Sequence, residues 1–275
     1  MMPEKVWAVY FSATGTTEKT VKTIAGTIAE EVGLPCESVS FTLKHEREQT
    51  LRFGAGDLVV LGVPVYAGRV PNVLLPFLTE KLAGNGALAV PVVLYGNRNY
   101  DDGLMELRNL LQKAGFVCVA GAAFVGEHSF STVLAAGRPD AEDCALMEGF
   151  AQAVGRKVRR LDTAPVRPVV VGGCEPIRPY YKPRDRQGNF INILKVKPVT
   201  DMEKCNGCGL CAAKCPMGSI KPDNVAEVAG ICIKCCACVK GCPTGAKSFI
   251  DEGYLYHQHE LEEMYERRGE VEMFL

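Results

Sequence analysis

Two copies of one cysteine pattern constrain this chain more than any other feature. Each copy has the spacing C-x2-C-x2-C-x3-C followed by proline, and the copies begin at Cys205 and Cys232. The second copy is the first displaced by 27 residues. Eight cysteines at this doubled spacing are typical of two [4Fe–4S] clusters, because three cysteines two residues apart let one short loop surround a cluster.

The proline after each fourth cysteine turns the chain away, so that this cysteine reaches the other cluster. We therefore predict two interlaced ligand sets: Cys205, Cys208, Cys211 and Cys242 for one cluster, and Cys232, Cys235, Cys238 and Cys215 for the other. Zinc and disulfide bonds are the alternatives, but neither needs the third cysteine or the repeated Cys-Pro. Cys236, a ninth thiol inside the second loop, is expected to be a small buried residue beside its cluster.

This stretch resembles the bacterial two-cluster ferredoxins over about fifty residues. The whole chain has 275 residues, 47% of them apolar, which predicts about two domains. It contains no apolar run long enough to span a membrane and no evident signal peptide. Thirteen cysteines, eight of them at metal-binding spacing, predict a reducing, cytoplasmic location.

The N-terminal part begins with a pattern that predicts an anion site. An unbroken apolar run at 6–11 is typical of a buried parallel strand, and Ser12-Ala13-Thr14-Gly15-Thr16-Thr17 follows it before a helical pattern starts. Free backbone amides, hydroxyl groups and the positive end of a helix all attract an anion. The turn has no lysine, which favours a monophosphate over a triphosphate with magnesium. Plain helix capping is the alternative.

Further apolar runs at 36–41, 57–63, 88–95 and 116–124 alternate with helical segments near 71–83, 101–114 and 140–161. This alternation predicts the α/β class, with a five-stranded doubly wound parallel sheet. Ligands of such sheets bind beyond the carboxyl ends of the strands. Three loops are expected at that edge, namely 12–17, 64–71 and 96–102.

The second and third loops each offer an aromatic side chain among small residues and backbone polar groups, as a flat ring system requires. With the first turn, they make residues 1–161 resemble a flavodoxin, whose ligand is FMN. The resemblance implies that the phosphate is held by Ser12, Thr14, Gly15, Thr16 and Thr17, one side of the isoalloxazine by Tyr66, Ala67 and Gly68, and the other by Asn97, Asn99 and Tyr100. Arg69 and Arg98 stand near the expected ring, where a cation would raise the flavin potential; solvated loop charges are the alternative.

The remaining chain divides into three predicted parts. Residues 162–197 form a connector rich in proline and basic residues, which we expect to pack along both domains and hold the clusters near the flavin. Residues 198–250 form a small α+β two-cluster ferredoxin domain, and residues 251–275 an acidic helical tail. The tail is expected to contact either the basic connector or a partner protein.

Taken together, the chain resembles the flavodoxin–ferredoxin fusions of anaerobic microbes. The resemblance implies an electron-transfer protein that passes electrons between two [4Fe–4S] clusters, FMN and redox partner proteins, with no general acid or base among its residues. The alternatives are a flavin-dependent reductase of a small acceptor and a purely structural iron–sulfur protein. The near-neutral charge and the lack of basic–aromatic interleaving predict no nucleic-acid partner. The sequence gives no oligomeric state.

Overall fold

A twisted, mostly parallel sheet organises the N-terminal part of the chain. The computed structural model describes residues 2–161 and 167–275, and within them this sheet has seven strands. Its elements, in chain order, are β1 (Lys5–Tyr10), α1 (Thr16–Val32), β2 (Cys36–Ser40), β3 (Leu51–Arg52), β4 (Asp57–Pro64), α2 (Leu75–Glu80), β5 (Leu82–Ala83), β6 (Leu88–Tyr95), α3 (Gly103–Lys113), β7 (Val117–Cys118), β8 (Gly121–Val125) and α4 (Ala141–Arg159). The short strands β3 and β5 pair with each other outside this sheet.

The C-terminal part consists of short elements and one longer helix. They are β9 (Val199–Thr200), α5 (Leu210–Ala213), α6 (Ala237–Lys240), β10 (Lys247–Ser248), α7 (Glu252–Met264) and β11 (Glu272–Phe274). Strands β9 and β10 form a small antiparallel pair that joins the two ends of the cysteine-rich region. No helix in the described ranges is long and apolar enough to cross a membrane.

The order of the main sheet is β11-β8-β6-β4-β1-β2, with β7 beside β6. The chain therefore reverses its direction of winding between β1 and β4, as in a doubly wound sheet. Alternate residues of β1 point to opposite faces: Val6 and Ala8 pack with α1 and α4, whereas Val9 faces the side of α3. The predicted α/β class and the five parallel strands are confirmed, and the last of those strands is divided into β7 and β8.

The C-terminal tail contributes a strand that the sequence pattern did not predict. β11 pairs antiparallel with β8 and so covers the edge of the sheet. The backbone of the preceding segment is fixed to the N-terminal part, since Arg138 donates to the carbonyl of Gly269 at 2.8 Å. The helix α7 was expected, and its Glu263 pairs with Arg186 of the connector. The tail thus contacts both the connector and the sheet.

The described part of the connector packs on the N-terminal part. Residues 162–166, its predicted beginning, lie outside the described residues. Val169 donates its amide to the carbonyl of Cys118 at 3.0 Å and is buried. Further along, Asp102 accepts hydrogen bonds from the backbone amides of Cys174 and Arg178 and from the guanidinium of Arg178. These bonds lower the pKa of Asp102 to about 2, so the carboxylate stays charged and holds the connector.

Candidate functional site

The two cysteine copies surround two separate cavities. One, here named the first cysteine cavity, is lined by Cys205, Cys208, Cys211 and Cys242. The other, the second cysteine cavity, is lined by Cys215, Cys232, Cys235 and Cys238, with Cys236 beside them. In each case three cysteines come from one loop and the fourth comes from the other copy. The structure therefore brings together the same four side chains that the sequence assigned to each cluster.

The two copies also share their local backbone conformation. α5 begins after Gly209, whose φ is 70°, and α6 begins after Cys236, whose φ is 58°. The amide of Ser219 donates to the sulfur of Cys215 at 3.4 Å, and the amide of Ala246 donates to that of Cys242 at 3.2 Å. Backbone N–H groups aimed at sulfur are a recognised means of tuning iron–sulfur clusters. The cysteine loops thus present both the thiols and the amides that a cluster needs.

The electrostatics of the second cysteine cavity also fit a metal cluster. Burial raises the pKa of the Cys238 thiol to about 12, and it raises the pKa of Cys235 further. Iron ions would supply the positive charge that holds such buried sulfurs as thiolates. Among the described residues, no three His, Cys, Asp or Glu side chains converge on the position of a single metal ion. The cysteines are instead distributed around a cavity.

The predicted phosphate loop lies at the N-terminus of α1. The hydroxyl of Ser12 is buried there and has no hydrogen-bond partner in the described part of the chain. Ser12, Thr14, Gly15 and Thr16 line a cavity of about 670 Å³, and Lys214 and Lys240 of the cysteine-rich region line its other side. Thr17 lines the adjoining cavity. An unpartnered hydroxyl, the positive end of a helix and the ammonium of Lys214 suit a bound anion such as a phosphate.

A second part of this site lies among the loops at the carboxyl ends of β4, β6 and β8. Tyr66, Ala67, Gly68 and Asn99, which the resemblance assigned to the ring, line a cavity of about 230 Å³ there. A smaller cavity contacts both Thr14 and Thr16 on one side and Tyr66 on the other, so it joins the two parts. We name the whole the loop cleft, with a phosphate end at Ser12–Thr16 and a ring end at Tyr66–Gly68. Its shape suits a phosphate joined to a flat ring system.

Two predicted ring contacts lie elsewhere. Asn97 is 2% exposed, and its side-chain amide donates to the carbonyls of Tyr265 and Arg267 and accepts from Gly269. Tyr100 packs into the core under the sheet edge, and its hydroxyl donates to Glu272 at 2.6 Å. Both side chains form hydrogen bonds with the C-terminal tail. The sequence of the loop alone did not predict these contacts.

The two arginines near the cleft have different surroundings. Arg69 donates twice to the carboxylate of Glu106, at 2.5 and 2.7 Å, and its guanidinium lies over the ring of Tyr180. Arg98 lines the ring end of the cleft, where its guanidinium lies 4.6 Å from the centre of the Tyr181 ring. Of the two, Arg98 is therefore the cation that faces the ring end.

Several residues of the cleft were missed by the sequence analysis. His128 and Ser129 follow β8, Tyr181 belongs to the connector, and Ile233 and His257 belong to the cysteine loop and to α7. The first two were foreseeable, because every loop after a parallel strand of this sheet reaches the same edge. The others come from distant parts of the chain, and only tertiary packing brings them to the cleft.

His128 contributes a hydrogen-bonding group with a defined state. It is partly buried, and the desolvation of its ring lowers its pKa to about 3, with the charge of Lys240 acting in the same direction. Its Nδ1 accepts from the amide of Phe130 at 3.1 Å. The imidazole is therefore neutral at pH 7, with its proton on Nε2.

The second cysteine cavity and the loop cleft meet at Cys235. This residue lines the second cysteine cavity and also the part of the cleft that contains Tyr66. Burial raises the pKa of Tyr66 well above its usual range, and negative charge on Cys235, Cys236 or Cys232 acts in the same direction. The phenol of Tyr66 is therefore neutral and lies in the electrostatic field of the second cysteine copy.

Lys240 holds the two parts together at this point. From α6 it donates to the carbonyls of His128 and Ser131, at 2.7 and 2.8 Å, and it pairs with the carboxylate of Glu127. The same interface buries Tyr254 of α7 between Phe249 and Phe130. The cysteine-rich region is thus fixed against the loop that follows β8.

Comparisons with known proteins identify two regions of the chain. A family model described as a flavodoxin domain matches residues 8–122, and one described as a 4Fe–4S binding domain matches residues 198–221. The second match ends before the second cysteine copy. A comparison with curated proteins found no match.

Among solved structures, the chain is similar to a flavodoxin from the domain Archaea, with 14% identity, a TM-score of 0.41 and coverage of 57% of this chain and 99% of that one. It is similar to a flavodoxin of Streptococcus pneumonia TIGR4, with 20% identity, a TM-score of 0.38 and coverage of 56% and 99%. It is also similar to the rubredoxin oxygen:oxidoreductase of Desulfovibrio gigas, with 17% identity and a TM-score of 0.38. In that case it covers 57% of this chain and only 37% of the other.

The two matched families account for the two kinds of site described above. A flavodoxin domain implies a flavin, and a 4Fe–4S domain implies an iron–sulfur cluster, which together give the chain a role in electron transfer. A flavodoxin domain is thus matched in the N-terminal part of the chain and a 4Fe–4S binding domain near its C-terminus, an arrangement consistent with a flavodoxin–ferredoxin fusion.

Proposed function

We propose that this protein passes electrons between two [4Fe–4S] clusters and a bound FMN, and exchanges them with redox partner proteins. The position of Cys235 carries this proposal, because one side chain lines both the second cysteine cavity and the loop cleft. The rate of electron tunnelling falls steeply with distance. Because the second cysteine cavity and the loop cleft adjoin, electron transfer between them within one chain is favoured.

Each cofactor would be held by its own set of residues. Cys205, Cys208, Cys211 and Cys242 would hold the first cluster, and Cys232, Cys235, Cys238 and Cys215 the second. The phosphate end of the loop cleft would hold the FMN phosphate through Ser12, Thr14, Gly15, Thr16 and Thr17. Tyr66, Ala67, Gly68 and Asn99 would line the ring. FMN accepts one or two electrons, which suits it to exchange with one-electron clusters.

The two cysteine cavities differ in how well a partner reaches them. Cys208 is exposed, and the neighbouring apolar side chains of Met202 and Leu210 are exposed as well. Cys235, in contrast, is only 8% exposed. A partner protein would therefore exchange electrons at the first cluster, and the second would connect the first to the flavin.

The covering of the loop cleft favours a carrier over a reductase. Tyr181, Ile233 and His257 line the ring end together with the flavodoxin loops. Side chains from outside the flavodoxin domain would therefore narrow the access of a small acceptor to the ring. A site covered by the chain itself suits exchange with the adjoining cluster.

Anaerobic purification followed by iron, sulfide and flavin analysis tests the proposal. We expect about eight irons, eight sulfides and one FMN per chain, as two four-iron clusters require. Freeze-quench electron paramagnetic resonance after brief reduction should then show cluster signals that decay as the flavin becomes reduced. Colourless protein, a zinc content in place of iron, or clusters and flavin that do not exchange electrons would each contradict it. Rapid turnover of a small acceptor, with no exchange with protein partners, would establish the reductase instead.

A further inference from the structure

A buried histidine of the C-terminal helix lines the ring end of the loop cleft. His257 is 4% exposed, and it contacts the same cavity as Tyr66 and Arg98. Within the described residues its Nδ1 is buried and has no hydrogen-bond partner. Buried polar atoms are nearly always paired, so an unpaired imidazole beside a cavity indicates a missing ligand.

Aromatic side chains fix the imidazole in place. The ring of Tyr181 lies nearly parallel to it, with centroids 6.2 Å apart, and the ring of Phe130 meets it edge-on at 6.4 Å. Leu261, one turn further along α7, lines the same cavity. Because the surroundings are mostly apolar, little in the chain itself offers the imidazole a polar partner.

The charge state of His257 follows from this burial. Burial lowers its pKa to about 4, and the charge of Arg98 acts in the same direction. The imidazole is therefore neutral at pH 7, with one donor nitrogen and one acceptor nitrogen. The carboxylate of Glu260 lies 3.9 Å from Nδ1, too far for a hydrogen bond, but its charge favours the proton on Nδ1. Nδ1 is then a buried donor without an acceptor among the described residues.

We propose that His257 is a positioning residue of the flavin site, whose unpartnered Nδ1–H donates a hydrogen bond to an acceptor atom on the pyrimidine edge of the isoalloxazine ring. The inference rests on the proposed function, because it presupposes FMN in the loop cleft. Reduction adds negative charge to this edge of the ring, so a hydrogen bond donated to it favours the reduced form. The C-terminal tail would thereby both close the flavin site and raise the flavin potential.

The test compares two substitutions of similar size. His257→Met removes the donor, whereas His257→Gln retains one in its side-chain amide. The control is His259→Met, an exposed position on the same helix. Each full-length variant is loaded with FMN, the flavin potential is measured by spectroelectrochemical titration, and FMN affinity is measured by fluorescence quenching of flavin-free protein.

We expect His257→Met to weaken binding of reduced FMN about tenfold more than binding of oxidised FMN, which lowers the potential of the two-electron couple by about 30 mV. His257→Gln should recover at least half of this shift, and His259→Met should show none. Cluster signals should be unchanged in all three variants.

The outcomes separate this inference from the proposed function. A wild-type chain that binds no FMN would contradict the proposed function itself. Normal FMN binding in wild type, with the same flavin potential in His257→Met, would overturn only the role of His257. If His257→Met does not fold, the wild-type chain provides the test. Bound FMN should protect His257, and not His259, from modification by diethyl pyrocarbonate. Equal labelling of His257 with and without FMN would overturn the proposal.

Discussion

The two cysteine copies have the same spacing and occupy opposite environments. Cys208 and Cys235 are equivalent under the 27-residue displacement, yet the first is exposed and the second is 8% exposed. Lys240 docks the second copy onto the loop after β8, and its equivalent in the first copy is Ala213, which is exposed. Ligand spacing therefore makes two similar loops, and residues between the ligands decide which loop faces the flavodoxin domain.

Removing one cysteine ligand from each copy should have the largest effect on flavin reduction, and the effect should differ between the two copies. Cys235→Ser should destroy the second cluster and slow flavin reduction more than a hundredfold, because the connecting centre is lost. Cys208→Ser should destroy the first cluster and slow reduction by an external protein donor, while the second cluster still exchanges with the flavin. Stopped-flow spectroscopy with parallel iron analysis measures both effects. Equal loss of flavin reduction in the two variants, with one cluster retained in each, would contradict the proposed order.

Loss of the docking lysine should have the next largest effect. Lys240→Met leaves the carboxylate of Glu127 and two backbone carbonyls without this donor, which costs about 1 to 3 kcal/mol of docking free energy. We expect flavin reduction to slow about tenfold while both clusters remain. The matched control is Lys204→Met, since Lys204 is exposed and, among the described residues, its ion pair is with Asp201 of the same turn. Unchanged rates in Lys240→Met would show that the aromatic contacts suffice.

Lowering the pH should weaken the docking of the second cysteine copy and leave the first copy unchanged. His128 and His257 have pKa values lowered to about 3 and 4 in the docked state, whereas an exposed histidine has about 6.5. The undocked state therefore binds more protons as the pH falls from about 6.5 to about 4. The docking free energy weakens over this window by about 1.4 kcal/mol per pH unit for each histidine. Above about pH 6.5 the two histidines do not change the docking free energy.

Hydrogen exchange at pH 7 and pH 5 measures this effect. Amides near His128 should lose protection at the lower pH, and those around the first cysteine cavity should not. His257→Met should reduce the slope by about half, because one of the two histidines no longer titrates. The charged and titratable groups that face these histidines are Arg98, Lys240, Tyr181 and Glu260. A rise in protection on acidification would contradict the assignment of neutral histidines.

The smallest expected effect concerns the left-handed residue before each short helix. Gly209→Ala places a side chain at φ 70°, which costs about 1 kcal/mol. Cys236→Gly relieves the same strain at φ 58° but loses the contact of its sulfur with the hydroxyl of Tyr254, at 3.4 Å. We expect Gly209→Ala to shorten the half-life of cluster retention severalfold and Cys236→Gly to change it less. A larger loss in Cys236→Gly would indicate that its thiol supports the second cluster.

Local patterns predicted the sheet and the grouping of the cysteines. Apolar runs such as 6–11 and 88–95 are buried strands, and the four thiols assigned to each cluster line one cavity. Both results depend on short-range regularities, namely strand hydrophobicity and fixed cysteine spacing. Asn97 and Tyr100 show the limit, since loop position alone suggested flavin contacts whereas both side chains hold the tail.

By itself, the sequence determined which residues form the strands, which turn precedes α1 and which cysteines share a cavity, because each depends on neighbours along the chain. Only the tertiary structure decided that Cys235 adjoins the loop cleft, that Tyr181 and His257 cover its ring end, and that β11 completes the sheet. These contacts join residues far apart in the chain through packing and hydrogen bonds, and no local pattern encodes them.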